Sequence, residues 1–386
     1  MLRKLAVTYP EQYSWDDYAV HLSQIMPSIF AGLRVADTQD SAGCGESPTG
    51  REILFLIDGF GADLLARYGE YAPTLAAMSA PHSVQTSFPS TTSTSLATLT
   101  TGSMPGAHGM MGYTVRVPRS SGRVLNSLKW DERVDPEIWQ PVPTLFQRAT
   151  ASGVTVTHVA AKRYEDTGFT RAVFRGAHYR GANLTSDLVG ETVAALKSSP
   201  SFVYLYVNDL DSAGHSDGVG SDKWIAALSS IDAMVAQLLE KLPKGVRIWI
   251  TADHGMINVE EKIVMGVENE LLEGIATIAG EPRMRHLYLP QDSDLAPRVD
   301  VMARWSETLG EKVKIFTRED AISTGLFGDN VSLDAAERIG DIIAIAQGNL
   351  VLLDPTRADK EGAMVGHHGG DSLTESTVPL LTATTD

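Results

Sequence analysis

Cysteine is almost missing. The 386-residue chain holds one, Cys44, in a small, polar stretch. A single cysteine supports no internal disulfide and no Cys-rich metal site, and it fits a reducing compartment. Basic charge is also short. Thirty-two Lys and Arg stand against 48 Asp and Glu, a formal net charge of −16, which argues against a nucleic-acid polymer as the main partner. Long apolar runs are absent too. Nothing approaches the roughly 18–20 continuous apolar residues of a membrane span. The opening MLRKLAVTYPEQYSWDD has no apolar run of signal-peptide length. The expectation is a cytoplasmic protein with no membrane span.

What is present is an ordinary globular composition. Apolar residues make up 43%, enough for a chain of this length to bury a large core without staples. Short apolar runs recur: EILFLIDGFG from residue 52, VTVTHVA (154–160), FVYLYVND (202–209) and VRIWITADHG from 246. Each reads as a buried strand. Helix-like segments lie between them. In residues 222–242, Ile225, Leu228, Ile231, Val235, Leu238 and Leu242 recur at three- and four-residue steps, an amphipathic helix. The alternation implies an α/β fold, a mainly parallel central sheet with helices on both faces. Residues 1–50 read as an N-terminal segment and linker. Residues 51–255 and 346–386 read as the core. The mixed pattern of 256–345, with an amphipathic stretch near 296–309 and a helix-like 333–340, reads as a small α+β insertion. The run 342–353 reads as a return to sheet.

Ligand-type residues gather where such a sheet builds its site, beyond the strands' carboxyl ends. Asp58 ends one run. NDLDSAGHSDG follows another and carries Asp211 and His215. TADHG follows a third and carries Asp253 and His254. GHHGG, near the C-terminus, carries His367 and His368. Taken singly, each has a plain reading as a turn former or helix cap. Together they form an oxygen and nitrogen set without sulfur. Such a set suits Zn²⁺, and also Mn²⁺ or Mg²⁺. A two-metal site of this kind stabilises both the attacking and the leaving oxygen of phosphoryl transfer.

One further stretch stands out. In TSFPSTTSTSLATLTTGS, residues 86–103, twelve of eighteen residues are Ser or Thr. Pro89 halts any preceding helix, and Ser90 or Thr91 can cap a new one. Leu96 and Leu99 offer packing, and Gly102 a stop. The first hydroxyls then sit at a helix N-terminus, which favours anions. Most of the twelve only cap and fill.

With these residues assembled, the chain resembles the alkaline phosphatase superfamily, and within it the type I phosphodiesterase/nucleotide pyrophosphatase family. The resemblance rests on LIDGFGADLL, FPSTTSTSLATLTTGSMPGAHGMMGY, VNDLDSAGHSDG, ITADHGM and HHGGDSLTESTVPLL, in the family's order from residue 53 to 381. It implies two divalent ions, Zn²⁺ first, and a Ser or Thr nucleophile. Asp58, Asp253 and His254 match one metal's ligands, together with the nucleophile. Asp211, His215 and His368 match the other's. His368 is chosen over His367 because the family's last ligand is directly followed by Gly. Counting ten residues back from Gly102 makes Thr92 the nucleophile. Thr91 is the next candidate, and then Ser87, which directly precedes Phe-Pro.

The chain departs from the family in one place. The family's phosphate-binding Asn, five residues after the His-Gly histidine, is Tyr113 here, counted from His108. Tyr113 and Asn126 are the substrate-binding candidates, with Lys129 and Arg163 as further donors. The motifs of sulfatases and of cofactor-independent phosphoglycerate mutases are missing. The expected activity is hydrolysis of a small-molecule phosphate ester through a phospho-enzyme. A diester or nucleotide substrate leads, with a phosphomonoester or a phosphonate as the alternatives. A non-catalytic metal-binding relative would have lost part of the ligand set. Trp130 and Trp139 read as packing residues rather than as a base-stacking pair.

Overall fold

The computed structural model describes residues 20–290 and 295–386, with side chains described throughout except at 295–297. The N-terminal stretch read above for a leader lies outside the described residues, and the amphipathic stretch near 296–309 forms the helix Leu295–Leu309. Eight strands form the central sheet: β1 (Val20–His21), β2 (Arg51–Ile57), β3 (Ser79–Gln85), β4 (Thr155–Ala160), β5 (His178–Gly181), β6 (Ser201–Val207), β7 (Arg247–Thr251) and β8 (Thr377–Thr384). Their order across the sheet is β1-β3-β8-β7-β2-β6-β4-β5. β7, β2, β6, β4 and β5 run parallel, and β8 runs antiparallel between β3 and β7. Their apolar runs follow from this. Ile53, Leu54, Phe55, Leu56 and Ile57 are all fully buried, because helices cover both faces of the sheet.

The register sets the site. Ile57 pairs with Val207 and Leu56 with Thr251. Three neighbouring strands therefore end level, and the residues that follow them emerge side by side. The helix Asp222–Lys241 packs its apolar stripe, Trp224, Leu228, Ile231, Val235 and Leu238, into the core.

A four-stranded antiparallel sheet lies to one side, built from Thr277–Glu281, Met284–Tyr288, Val313–Thr317 and Ile342–Ala346. It has its own core around Trp305, Leu287 and Leu352. The run 342–353 stays with this smaller lobe. Ile342–Ala346 joins its sheet, and Leu350–Leu353 pairs with Glu261–Val264. The chain re-enters the central sheet only at β8. No described helix is long and apolar enough to cross a membrane.

Candidate active site

Asp58 follows β2 and is 2% exposed. Its Oδ2 accepts a hydrogen bond from the Tyr206 hydroxyl, and its Oδ1 has no donor among the described residues. Asp253 follows β7 and is fully buried. Its Oδ1 accepts from the Gly59 N–H at 3.2 Å and the His254 N–H at 3.1 Å. Its Oδ2 has no donor among the described residues. Asp211 and His215 lie four residues apart on the helix Asp209–Asp217 after β6, and so on one face. Asp211 Oδ1 also lacks a donor among the described residues.

The three histidines are oriented alike. The Nδ1 atoms of His215, His254 and His368 lie 2.8, 2.9 and 3.0 Å from the carbonyl oxygens of Gly366, Gly255 and Ser90. A proton on each Nδ1 satisfies these carbonyls and leaves each Nε2 with a free lone pair, the arrangement that aims imidazole at a metal. His254 Nε2 lies 3.3 Å from Asp58 Oδ1 and 3.6 Å from Asp253 Oδ2. Asp211 Oδ1 lies 3.3 Å from His215 Nε2 and 3.7 Å from His368 Nε2. The rings of His254 and His368 stack at 3.5 Å.

Two groups of donor atoms result, Asp211–His215–His368 and Asp58–Asp211–His254, each with all atoms within 4.8 Å of one another. Three acid oxygens without a proton donor, converging with three imidazole lone pairs, fit divalent cations. Without a cation the acids crowd. Burial, then the charges of Asp253 and Asp211, pushes Asp58 well above the usual carboxylate range. Burial raises Asp253 as well. Burial and the neighbouring His254 and His215 push His368 well below its ordinary value.

The hydroxyl-rich stretch forms the helix Thr92–Thr101, entirely buried, with Thr91 as N-cap and Gly102 closing it at φ 66°. A positive φ is why the last position is glycine. The Thr92 hydroxyl lies 3.2 Å from His254 Nε2. It lines a cavity of about 500 Å³ that also exposes Asp211, His215 and His368. A second cavity, of about 250 Å³, meets Thr92 and Asp58 on the other side and is walled by Tyr164, Phe169 and Phe174.

Ser87 does not line either cavity. Its hydroxyl donates to Thr98 Oγ1 at 2.6 Å, which in turn meets His108 Nε2 at 2.9 Å. It belongs to a buried polar chain. Thr91 lines the larger cavity, as do Tyr113, Asn126 and Lys129. Asn126 Oδ1 is held by the N–H groups of Leu128 and Lys129, so its amide nitrogen is the end left for a ligand. Arg163 lines the smaller cavity and donates to Asn208 Oδ1 at 2.9 Å. His367 Nε2 turns to the Glu361 carbonyl at 3.2 Å, away from the cluster. Trp139 is buried, and Trp130 donates to the Val134 carbonyl; neither lines either of these two cavities.

Sequence reasoning missed three residues here. Tyr206 supports Asp58; its signal was its place two residues before Asn208 on the strand. Glu375 accepts from the Gly370 N–H at 2.8 Å through its side chain and from the Gly255 N–H at 2.8 Å through its carbonyl. It thereby ties the loops bearing His368 and His254. Glu281 comes from the smaller lobe, is 4% exposed and lines the larger cavity. Burial pushes it up to about 7, against the Thr91 hydroxyl, which pulls the other way.

The family model for type I phosphodiesterase/nucleotide pyrophosphatase matches residues 53–371. The chain belongs to this family. Among its relatives is human ectonucleotide pyrophosphatase/phosphodiesterase family member 1, 25% identical over 238 residues, 58% of this chain and 25% of that protein. Mouse family member 3 is 29% identical over 226 residues, 53% of this chain and 24% of that protein. The matches thus span about a quarter of the length of these relatives. Murine family member 5 shares the fold with a TM-score of 0.67 at 17% identity, over 86% of this chain and 87% of that one. Phosphonoacetate hydrolase from Sinorhizobium meliloti does so with a TM-score of 0.64 at 20% identity, over 88% and 91%.

Proposed function

We propose that the chain is a metal-dependent phosphoric ester hydrolase of the phosphodiesterase/nucleotide pyrophosphatase type, acting on a small-molecule substrate with Thr92 as nucleophile. One observation carries this reading. The hydroxyl at the first position of a buried helix lies 3.2 Å from His254 Nε2, a member of one of the two donor groups, and lines the same cavity as Asp211, His215 and His368. Two divalent cations, Zn²⁺ first, would be held by Asp58, Asp253, His254 and Thr92 and by Asp211, His215 and His368, supplying Lewis-acid activation.

The chain's own residues do the rest. The Thr92 oxygen forms a bond to phosphorus as the bond to the leaving oxygen breaks in line. The Thr92 proton ends on the departing oxygen; a water then displaces the Thr92 oxygen, returns a proton to it and frees the phosphate monoester. The N–H groups of the helix's first turn face the developing charge, where fixed dipoles stabilise a transition state at no reorganisation cost. Tyr206 and the backbone carbonyls hold the ligand side chains in one orientation. Family membership supports the reaction class. So does the solved structure of murine family member 5 as an inactive threonine-to-alanine variant in complex with AMP.

A second reading, phosphomonoester hydrolysis, draws on Tyr113 standing where the family has its phosphate-binding Asn. Tyr113, Asn126 and Lys129 on the cavity wall would then hold a third free oxygen. The test compares bis-p-nitrophenyl phosphate, p-nitrophenyl phosphate and phosphonoacetate on metal-loaded protein, for wild type, Thr92→Ala and Ser87→Ala. The diester is expected to turn over fastest. Thr92→Ala should lose at least ~10³-fold, the scale of losing a covalent nucleophile, and Ser87→Ala should stay within a few fold. Full activity in Thr92→Ala refutes the nucleophile. A faster monoester or phosphonate replaces the diester reading.

A further inference from the structure

The larger cavity is lined by more than the donor residues. Part of its wall is the segment 357–364, through Arg357, Lys360, Glu361 and Met364. These four recur at three- and four-residue steps, so the helix Ala358–Gly362 turns one face to the cavity. Asp359 falls off that face and does not line the cavity. The face is anchored from behind. Glu361 pairs with Arg285, which is 1% exposed on the strand Met284–Tyr288. Glu361 Oε2 also accepts the Asp354 N–H at 3.2 Å. Lys262 Nζ donates to the Gly362 carbonyl at 2.8 Å.

What this face presents is positive charge. Arg357 and Lys360 are exposed, and so is Lys129 on the same cavity wall. None of the three makes an ion pair or a side-chain hydrogen bond among the described residues. The chain as a whole has a formal net charge of −16, so acids to pair with are plentiful. The acids on this wall are engaged otherwise. Asp211 belongs to the donor groups, and Glu361 is held by Arg285. Glu281 is 4% exposed, and burial pushes it up to about 7. A single exposed cation is ordinarily just solvated. Three unpaired ones on one cavity with the reacting groups do more, because a cleft lined by one sign of charge concentrates the other. A guanidinium and an ammonium together suit the oxygens of a carboxylate or a phosphate.

We infer that Arg357 and Lys360, with Lys129, form a subsite for a second anionic group, a carboxylate or a phosphate, carried on the substrate's leaving group. The inference rests on the phosphoryl-transfer reading of this site and adds what the leaving group bears. The side follows from the two donor groups. In-line transfer puts the leaving oxygen opposite the Thr92 oxygen. Asp58, which shares its donor group with His254 beside Thr92, borders only the smaller of the two cavities. His215 and His368, of the other group, line only the larger. The larger cavity therefore takes the leaving group, and the smaller takes the group that stays on phosphorus. Arg357 and Lys360 set specificity and do not touch the reacting atoms.

The test uses metal-loaded protein and three substrates that keep one phenyl ester and change the leaving group: phenyl p-nitrophenyl phosphate, phenyl 4-carboxyphenyl phosphate and phenyl diphosphate. Release of p-nitrophenol, 4-hydroxybenzoate and phosphate gives kcat/KM for each. Every variant is compared with wild type on the same substrate, which cancels intrinsic leaving-group reactivity. Arg357→Ala with Lys360→Ala should lower kcat/KM about tenfold on a substrate with an anionic leaving group, and stay within about twofold on the nitrophenyl one. Loss on one anionic substrate assigns that anion, and loss on both assigns a subsite that takes either. Salt at about 0.5 M should shrink the difference. Asp359→Lys, off the cavity face, should leave all three ratios unchanged. Phenylphosphonate, 4-carboxyphenylphosphonate and 1,4-phenylenediphosphonate repeat the comparison at equilibrium by titration calorimetry. Wild type should prefer a ligand with the second anion, and the double variant should lose that preference. The inference is overturned if the double variant lowers all three substrates equally or none, or if it keeps the wild-type ligand preference. Failure of the wider reading looks different: no substrate would turn over, or Thr92→Ala would keep its turnover, while the phosphonate titrations would still report on the subsite.

Discussion

Replacing Glu375 with Gln removes one charge from an ion pair whose two side chains are both 0% exposed. Arg283 Nε donates to Glu375 Oε1 at 3.0 Å, and Nη2 donates to Oε2 at 2.8 Å. Both partners do more than pair. Arg283 donates to the Leu350 carbonyl, and Glu375 accepts from the Gly370 N–H and the Ser372 hydroxyl. Gln preserves the volume but presents an amide N–H₂ to a guanidinium, which leaves a buried charge without its counter-charge. Breaking one side of a buried pair costs about 3–5 kcal/mol. Unfolding entropy of about 2.1 cal/mol/K per residue gives roughly 0.8 kcal/mol/K for a chain of 386 residues. The melting temperature should therefore fall by about 4–6 °C. Scanning calorimetry on metal-loaded protein measures it. The pair should also be non-additive: Arg283→Met with Glu375→Gln should cost clearly less than the two single losses together. Activity should fall in step, because Glu375 braces the loops that carry His254 and His368. A loss below about 1 kcal/mol, or additive single losses, refutes the assignment of this pair as a buried brace behind the loops that carry His254 and His368.

Three further outcomes are expected. Chelation should lower the melting temperature more at pH 8 than at pH 5. The folded-state pKa values of Asp58 and Asp253 are raised, so the cation-free protein binds more protons than the unfolded chain and loses stability as pH rises; a flat or opposite trend refutes the crowding of these acids. Tyr206→Phe removes the hydroxyl that donates to Asp58 Oδ2 and should weaken metal binding about 10–100-fold, read by titration with a metal-competing chromophore; unchanged affinity refutes its supporting role. His158, ringed by Phe174, Tyr179 and Tyr204, is pushed down to about 3 by burial. Its stabilising effect is present above the unfolded value near 6.5 and is lost as pH falls toward 3, so His158→Phe should flatten the acid limb of a stability curve, and an unchanged limb refutes the assignment.

The residues that lay in the sequence as local patterns were legible there. An apolar run ending in an acid reads as a buried strand wherever it occurs, and Asp58, Asp211 and Asp253 each stood in or just after such a run. The helix Asp209–Asp217, which puts Asp211 and His215 on one face, was not read from the sequence. The hydroxyl-rich stretch carried its own start at Pro89 and its own stop at Gly102. The order of strands was not legible. That β8 runs antiparallel between β3 and β7 follows from no local signal, because an all-buried strand looks the same in either direction.

Local pattern thus determined which side chains emerge at the strand ends, since burial and periodicity act over a few residues. Tertiary structure decided what those side chains meet. Ser87 and Thr92 are alike as residues, and only packing turns one toward Thr98 and the other toward His254. Glu281, Arg283 and Glu375 are lone charges in mixed stretches, and Arg283 and Glu375 are 92 positions apart. Their roles come from desolvation, which binds each buried charge to whatever partner the fold brings within reach. A sequence read in order does not contain that information.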